Sequence, residues 1–347
     1  MRIQSWNEWD PLKSVVVGRA NGAQVPSTDT SLWAINYADK YPDHEIPNGP
    51  YPEQVVDEAN EDLENLTKEL EKLEVKVYRP EDLDFTRSVS NGDWNANGYY
   101  GYCPRDSVLV HGDMIIESPM PLRARFLETQ MFRKIFLEAM YDGAKWFSAP
   151  KPNLSEDCYD LENISKDKLT LKELEPSFDA ANVLRCGKDL FYLVSNSGNK
   201  LGGKWLQNVL GSEFKVHFLE GIYSYMHLDS TISFIRPGLV LLNPSRINES
   251  NVPEPLKSWD KIWCADPVDI GFHKPYCNAS VWVGMNLLMI NPNLAVVEKN
   301  QTELIKQLES HNVDVLALDV RHARTLGGGF HCVTLDLERE GKLEDYF

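Results

Sequence analysis

Two short apolar strands, a helix and a further strand come back along this sequence about every 50–80 residues, with no linker between recurrences. Val15, Val16 and Val17 open a strand at residues 14–18. A helix follows at 52–73. Val55, Ala59, Leu63, Leu66, Leu70 and Leu73 share one stripe, Glu and Lys fill the other face, and Pro52 suits a first turn. Residues 74–78 then alternate as a strand. Strand signals return at 107–111 and 114–116 before a helix at 122–141, and at 189–194 before a short helix at 204–210 and a strand at 214–219. Two further pairs, 230–235 with 239–242 and 286–290 with 295–298, turn at Arg236-Pro-Gly238 and Asn291-Pro-Asn293. A helix at 301–310 and a strand at 313–318 complete the last unit. The units match poorly residue by residue, so the period predicts a mixed α/β fold built from repeats without giving their number. No charge run or Gly/Ser linker divides the chain, which predicts one domain over residues 1–347. Residues 19–52, polar and proline-bearing, read equally as a cap over a site and as a surface excursion. Residues 153–176 read as an insertion.

At 347 residues the chain exceeds the usual domain of roughly 100–200, a length that closed repeats still accommodate. Its 42% apolar and 25% charged residues allow a large core and argue against global disorder. A net charge of −17 repels nucleic acid and anionic membranes at long range, while leaving the sign of any one pocket open. No stretch of 18 apolar residues predicts a membrane span, and the start lacks the pattern of a secretory signal. The six cysteines, at 103, 158, 186, 264, 277 and 332, fit no zinc spacing and are too sparse for a disulfide scaffold. A reducing, cytoplasmic setting is the expectation. No His-Glu-Xaa-Xaa-His motif occurs, so no metal is implied.

The sharpest local feature is Leu326-Gly-Gly-Gly-Phe-His-Cys332. Three glycines let the backbone turn tightly and approach a ligand, and a cysteine just beyond can be presented to a substrate. A nearby histidine or positive field would raise its thiolate fraction. On chemistry alone, a Cys leading into the alternating residues 333–337 reads more readily as a buried strand position. In Met226-His-Leu-Asp229, an extended backbone would place His227 and Asp229 on one side, suiting proton transfer and recognition of a cation. A surface salt bridge is the alternative. Asp179, in Ser177-Phe-Asp-Ala-Ala-Asn182, either orients a histidine or caps a turn. Asp106, in Cys103-Pro-Arg-Asp106, either faces a ligand or pairs with an arginine. Arg246, in Asn243-Pro-Ser-Arg246, either receives a substrate carboxylate or belongs to an ordinary charged loop. Arg321-His-Ala-Arg324 reads as structural or solvent-facing, and Trp94, Tyr99, Tyr100 and Tyr102 as pocket wall or turn packing.

Taken in order, these motifs, with Asn7-Glu-Trp-Asp-Pro11, Pro104-Arg-Asp106, Ile115-Ile-Glu-Ser-Pro-Met120 and Gly284-Met-Asn286, carry a resemblance over almost the whole chain. The sequence resembles the arginine-dependent amidinotransferases, which include glycine amidinotransferase and inosamine-phosphate amidinotransferase. The resemblance implies a five-bladed α/β propeller of pseudo-fivefold ββαβ-type modules, pentein-like, and so supplies the missing repeat number. It implies Cys332 as nucleophile, His227 as general acid and base, and Asp179 as the carboxylate paired with that histidine. Asp106 and Asp229 match residues that hold the donor guanidinium. Arg246 and Ser280 match those that receive its α-carboxylate, and Met226 joins the substrate-binding set. Asn182 stands where the vertebrate-type sequence has an aspartate, with no catalytic role assigned. The implied chemistry passes the amidino group of L-arginine through an amidino-cysteine to a small amine, releasing ornithine by ping-pong kinetics, with no organic cofactor or metal and with a homodimer as assembly. Residues 195–202 and Pro244-Ser-Arg246 look most like the bacterial inosamine-phosphate branch. Tyr223-Ser-Tyr-Met226 departs from the glycine enzyme and argues against a strictly glycine-sized pocket. A phosphorylated acceptor would call for basic groups, with Lys200, Lys204, Lys274 and Arg324 as candidates. Transfer to glycine, lysine or another amino acid is the alternative of the same class. A guanidine hydrolase of arginine deiminase type, yielding citrulline, and a noncatalytic guanidine-binding protein are the alternatives of other classes.

Overall fold

The computed structural model describes residues 1–38, 45–162 and 168–347. Five three-stranded sheets share one internal plan: the first strand pairs antiparallel with the second, and the second pairs parallel with the third. A parallel neighbour cannot be reached by a tight turn, so each module crosses over between its second and third strands. In the second module the strands are Val108–His111, Met114–Glu117 and Lys145–Ser148, with helix Arg133–Tyr141 as crossover. The third has Val183–Cys186, Asp189–Leu193 and Lys215–Leu219 around helix Lys200–Leu210, whose first turn is capped by Asn199. The fourth has Ile232–Arg236, Leu239–Leu242 and Asp260–Trp263, with only a short 3-10 turn, Glu254–Ser258. The fifth has Leu288–Asn291, Leu294–Glu298 and Asp314–Leu318 around helix Thr302–Ser310. The first module closes the ring. Its first strand, Thr334–Arg339, comes from the far end of the chain and pairs with Leu12–Val17, which pairs with Lys76–Tyr78 after helix Glu53–Lys72.

Burial falls outward within each module. The first and second strands are almost wholly buried, whereas the third strands begin with an exposed Lys or Asp. Helix Glu53–Lys72 lays Val55, Ala59, Leu63, Leu66 and Leu70 into the same apolar cluster as Val15 and Val17. Leu73, expected on that stripe, ends the helix and is 42% exposed.

The first strands meet around buried charge rather than oil. Arg185, on the third module's first strand, bonds Glu8 and Asp336 at 2.6 Å each and reaches the Val110 carbonyl of the second module. Asp336, on the first module's first strand, also takes Arg105 at 2.6 Å and Arg339 at 2.7 Å. Arg339 continues to the Met289 carbonyl of the fifth module. Burial alone would push Asp336 up, yet Arg105, Arg339 and Arg185 together hold it well below the ordinary carboxylate range.

Three expectations need correction. Residues 122–141 are not one helix. Arg123–Arg125 and Glu128–Phe132 are 3-10 turns, and only Arg133–Tyr141 is α-helical. The turns carry Arg123 and Arg125 inward, to the Leu154 carbonyl and to Asp106 and Glu128. The strands at 145–148 and 260–263 were not legible in the period. Residues 19–52 are not without regular structure: Gln24–Val25 pairs with Gly49–Pro50, and Thr30–Leu32 and Trp33–Tyr37 are helical. Residues 39–44 of that stretch, and 163–167 of the expected insertion, lie outside the described residues. Among the described residues no helix is long and apolar enough to cross a membrane.

Candidate active site

The short helix Ala323–Leu326 ends on Gly327 at φ +90, the left-handed region, and the glycine run then folds under the fifth module. A Cβ on Gly328 would lie 2.5 Å from Cys103 Sγ and 2.8 Å from Cys332 Cβ, and one on Gly329 would lie 2.8 Å from Asn286 Cβ. Only glycine fits at those two positions. Asn286 Oδ1 accepts the backbone N–H groups of His331 at 3.0 Å and Cys332 at 3.1 Å, which pins the turn that presents the thiol. Cys332 Sγ lies 3.3 Å from Asp229 Oδ2. Its hydrogen bond with Cys103, its burial and the charge of Asp229 push the thiol well above its ordinary value.

His227 sits at φ +60 in an irregular segment, so the extended geometry expected for residues 226–229 is wrong. The left-handed turn still delivers the imidazole. Its Nε2 donates to Asp179 Oδ2 at 2.9 Å, and its Nδ1 is 3.6 Å from Asp106 Oδ1. Burial opposes its charge, but Asp106, then Asp179 by hydrogen bond and charge, and Asp229 outweigh that and raise it to about 9. Asp179 therefore orients a histidine; as N-cap of Ala180–Asn182 it makes no side-chain cap bond. Asp106 pairs with an arginine, as one of its two readings had it, through Oδ2 with Arg125 at 2.7 Å, while its Oδ1 is turned toward His227. Burial raises Asp106 against the pull of His227 and Arg125. Burial also works to raise Asp229, but its hydrogen bond and charge contact with His331 hold it down at about 2.

Cys332, His227, Asp229, Met226, Arg246 and Ser280 line one cavity of about 1160 Å³. Asp106 and Asp179 line a small chamber beside it that shares His227 and Met226. All eight expected residues thus come together. Arg246 is stacked 3.5 Å over the Tyr223 ring and tied to Thr231 Oγ1 at 2.6 Å, which fixes its guanidinium on the wall of the cavity that Ser280 also lines. Of the four basic candidates, Lys200 and Arg324 line the cavity; Lys204 and Lys274 do not. Lys200 is paired with Glu220 and Arg324 with Asp269. Arg321 is structural, bound to Asp62 on the helix of the first module. Tyr99 and Tyr100 line the small chamber, whereas Trp94 packs elsewhere, on Phe126.

The motifs quoted above also contain residues whose part went unread: Glu8, Asn286 and His331. Arg125, Glu128 and Asn36 carried no signal at all. Asn36, 8% exposed, lines both cavity and chamber and makes no side-chain hydrogen bond among the described residues. No group of three or more His, Cys, Asp or Glu is arranged to hold a metal ion among the described residues.

A buried thiol, a histidine held between carboxylates and an arginine thus share one site, an arrangement that can support covalent chemistry. No family model matches the chain. It is 54% identical over 343 residues to inosamine-phosphate amidinotransferase 1 of Streptomyces glaucescens, covering 98% of this chain and 97% of that one. The solved inosamine-phosphate amidinotransferase of Streptomyces griseus superposes with a TM-score of 0.97 at 50% identity, covering 99% of both chains. The L-arginine:L-lysine amidinotransferase of Pseudomonas savastanoi pv. phaseolicola is 36% identical over 99% of this chain and 96% of its own. The chain belongs to the arginine amidinotransferase family. It is an enzyme that transfers the amidino group of arginine, built on the five-module pentein fold.

Proposed function

We propose that Cys332 is the nucleophile of this transfer, that His227 moves the protons, and that the acceptor is an amine of the inosamine-phosphate class, with residues 1–347 acting as one catalytic domain. The observation that carries the reading is the joint placement of Cys332, Asp229 and His227 at one cavity wall, with the His227–Asp179 bond at 2.9 Å. The arginine guanidinium lies between Asp106 and Asp229, and its α-carboxylate meets Arg246 and Ser280, with Met226 along the stem. Binding this cation cancels the negative field that suppresses the thiolate, so the thiol releases its proton, to solvent, only when the donor is in place. The thiolate attacks Cζ, forming a C–S bond. Protonated His227 donates to the departing nitrogen, the C–N bond breaks, and ornithine leaves neutral at that nitrogen. The acceptor amine then attacks the amidino carbon, His227 takes a proton from it, and the C–S bond breaks to return the thiolate.

The acceptor reading is supported by relatives of 48–54% identity that carry the inosamine-phosphate name, against 36% for the lysine enzyme. It is tested by ornithine release from arginine with an inosamine phosphate, the same ring without phosphate, glycine or lysine as acceptor. The largest kcat/KM belongs to the inosamine phosphate. A preference for glycine or lysine would reassign the acceptor, and citrulline formed without any acceptor would replace transfer by hydrolysis.

A further inference from the structure

The two carboxylates assigned to the guanidinium are held by matching constructions. Beside Asp106, on the wall of the same small chamber, stands Arg125, with Nη1 at 2.7 Å from Asp106 Oδ2, and Arg125 is in turn forked onto Glu128, its Nε at 2.7 Å from Oε2. Behind Asp229 stands His331, with Nδ1 at 2.8 Å from Asp229 Oδ2, and the opposite ring nitrogen lies 3.2 Å from Glu8 Oε2. All six groups are buried. The two arms arise independently, one from the 3-10 turns at 123–132 and one from the glycine turn meeting the chain's start. Neither belongs to the reacting groups.

The effect of each arm is geometric. Asp106 Oδ1 is buried with no hydrogen-bond partner among the described residues, although His227 Nδ1 is only 3.6 Å away. A free carboxylate would swing to close that gap and pair with the imidazole. The Arg125 bond holds Oδ2 back and leaves Oδ1 turned to the chamber. His331 likewise takes the Asp229 oxygen that also faces Cys332 Sγ, at 2.8 and 3.3 Å, and so fixes the carboxylate beside the thiol. Directional, charge-assisted bonds of this kind set orientation as well as charge.

We propose that Arg125 and His331, each backed by a glutamate, are positioning residues that hold Asp106 and Asp229 in the orientation that clamps the donor guanidinium. The inference rests on the reading of those two aspartates given above. The test is a pair of double-mutant cycles on full-length protein carrying Cys332→Ala, with arginine binding followed by calorimetry and folding checked by thermal unfolding. Arg125→Lys and His331→Ala each weaken arginine binding about 10-fold, and His331→Asn, which restores a donor toward Asp229, recovers most of the loss. In an Asp106→Asn background Arg125→Lys adds less than about twofold, and His331→Ala likewise in Asp229→Asn. If Arg125→Lys does not fold, Glu128→Gln, which keeps the shape and removes the backing charge, carries the same cycle. In the otherwise native enzyme Arg125→Lys raises KM for arginine and leaves KM for the acceptor within about twofold. Full additivity in both cycles would overturn the proposal and leave the arms as fold-holding contacts. Unchanged arginine binding in Asp106→Asn and Asp229→Asn would instead remove the aspartates from the donor site, and the inference with them.

Discussion

Cys332 is surrounded by groups that disfavour its ionisation, and His227 by groups that favour its protonation. In the proposed mechanism the free enzyme therefore rests as neutral thiol and imidazolium, with the acid for the first half-reaction already loaded. Because Asp106, Asp179 and Asp229 together lift His227 to about 9, the leaving-group proton is present below that pH and is lost as pH rises through it. Replacing Asp179 by Asn removes one of the charges that retain the proton, so the alkaline limb of kcat moves to lower pH. Rates of ornithine formation in an acceptor-saturated pH series measure this; a limb that stays put would remove Asp179 from the titration. At this scale much of the site was legible. Cys332 stands out after its glycines, and Asp106 and Asp179 precede apolar strands that fix them in space. His227 and Asp229 do meet at one cavity, but through a positive φ rather than the expected extended backbone. Arg125 and Glu128 stayed hidden because their role depends on 3-10 turns where the periodicity suggested a continuous helix.

The loop at 19–52 shows what an element can add to a scaffold. Its helical turn, Trp33–Tyr37, is seated by Tyr37 on Asn278 at 2.6 Å, and Thr170 Oγ1 holds the Ala34 carbonyl at 2.8 Å. This seat places Ile35 and Asn36 on the cavity wall, so within the described residues the stretch is a cap rather than a surface excursion. The polar groups of arginine already have partners assigned, whereas a hydroxylated ring brings more donors and acceptors than an amino acid. The carboxamide of Asn36, without a side-chain hydrogen bond among the described residues, suits those hydroxyls. Asn36→Ala accordingly raises KM for an inosamine phosphate about 5–10-fold, the loss of one hydrogen bond, and changes KM for arginine less than twofold. Steady-state kinetics with each substrate varied in turn separate the two; an effect confined to arginine would place Asn36 in the donor site. The outer strands escaped the period for a related reason. Lys145–Ser148 and Asp260–Trp263 are short, half-exposed and begin with charge, so they neither alternate nor form an apolar run.

The ring as a whole is closed by its two chain ends, which share the first module, and is braced along its axis by a charge network spanning four modules. Asp336 is the hub, accepting from Arg105, Arg185 and Arg339. Removing its charge takes one carboxylate from three buried guanidinium groups, leaving Arg339 with carbonyl partners and Arg105 and Arg185 with Glu8, so Asp336→Asn destabilises the protein by about 3–5 kcal/mol, read as a fall in the denaturant midpoint. An unchanged midpoint would mean that Glu8 suffices for Arg105 and Arg185 and backbone carbonyls for Arg339. Repetition was visible from the strand pairs, but neither the number five nor the pairing of the ends was. The first needed the family resemblance, because poorly matched units carry no count. The second joins strands whose residues lie more than 300 apart, and no local sequence pattern carries such a pairing.

The central claim, a covalent amidino group on Cys332, is tested most directly by intact-protein and peptide mass spectrometry after incubation with arginine and before any acceptor is added. The account predicts an added mass of about 42 Da on Cys332, discharged by the correct amine with formation of a guanidino product. A thiol left unmodified although arginine is bound, or an adduct of about 157 Da retaining the arginine chain after loss of ammonia, would contradict it.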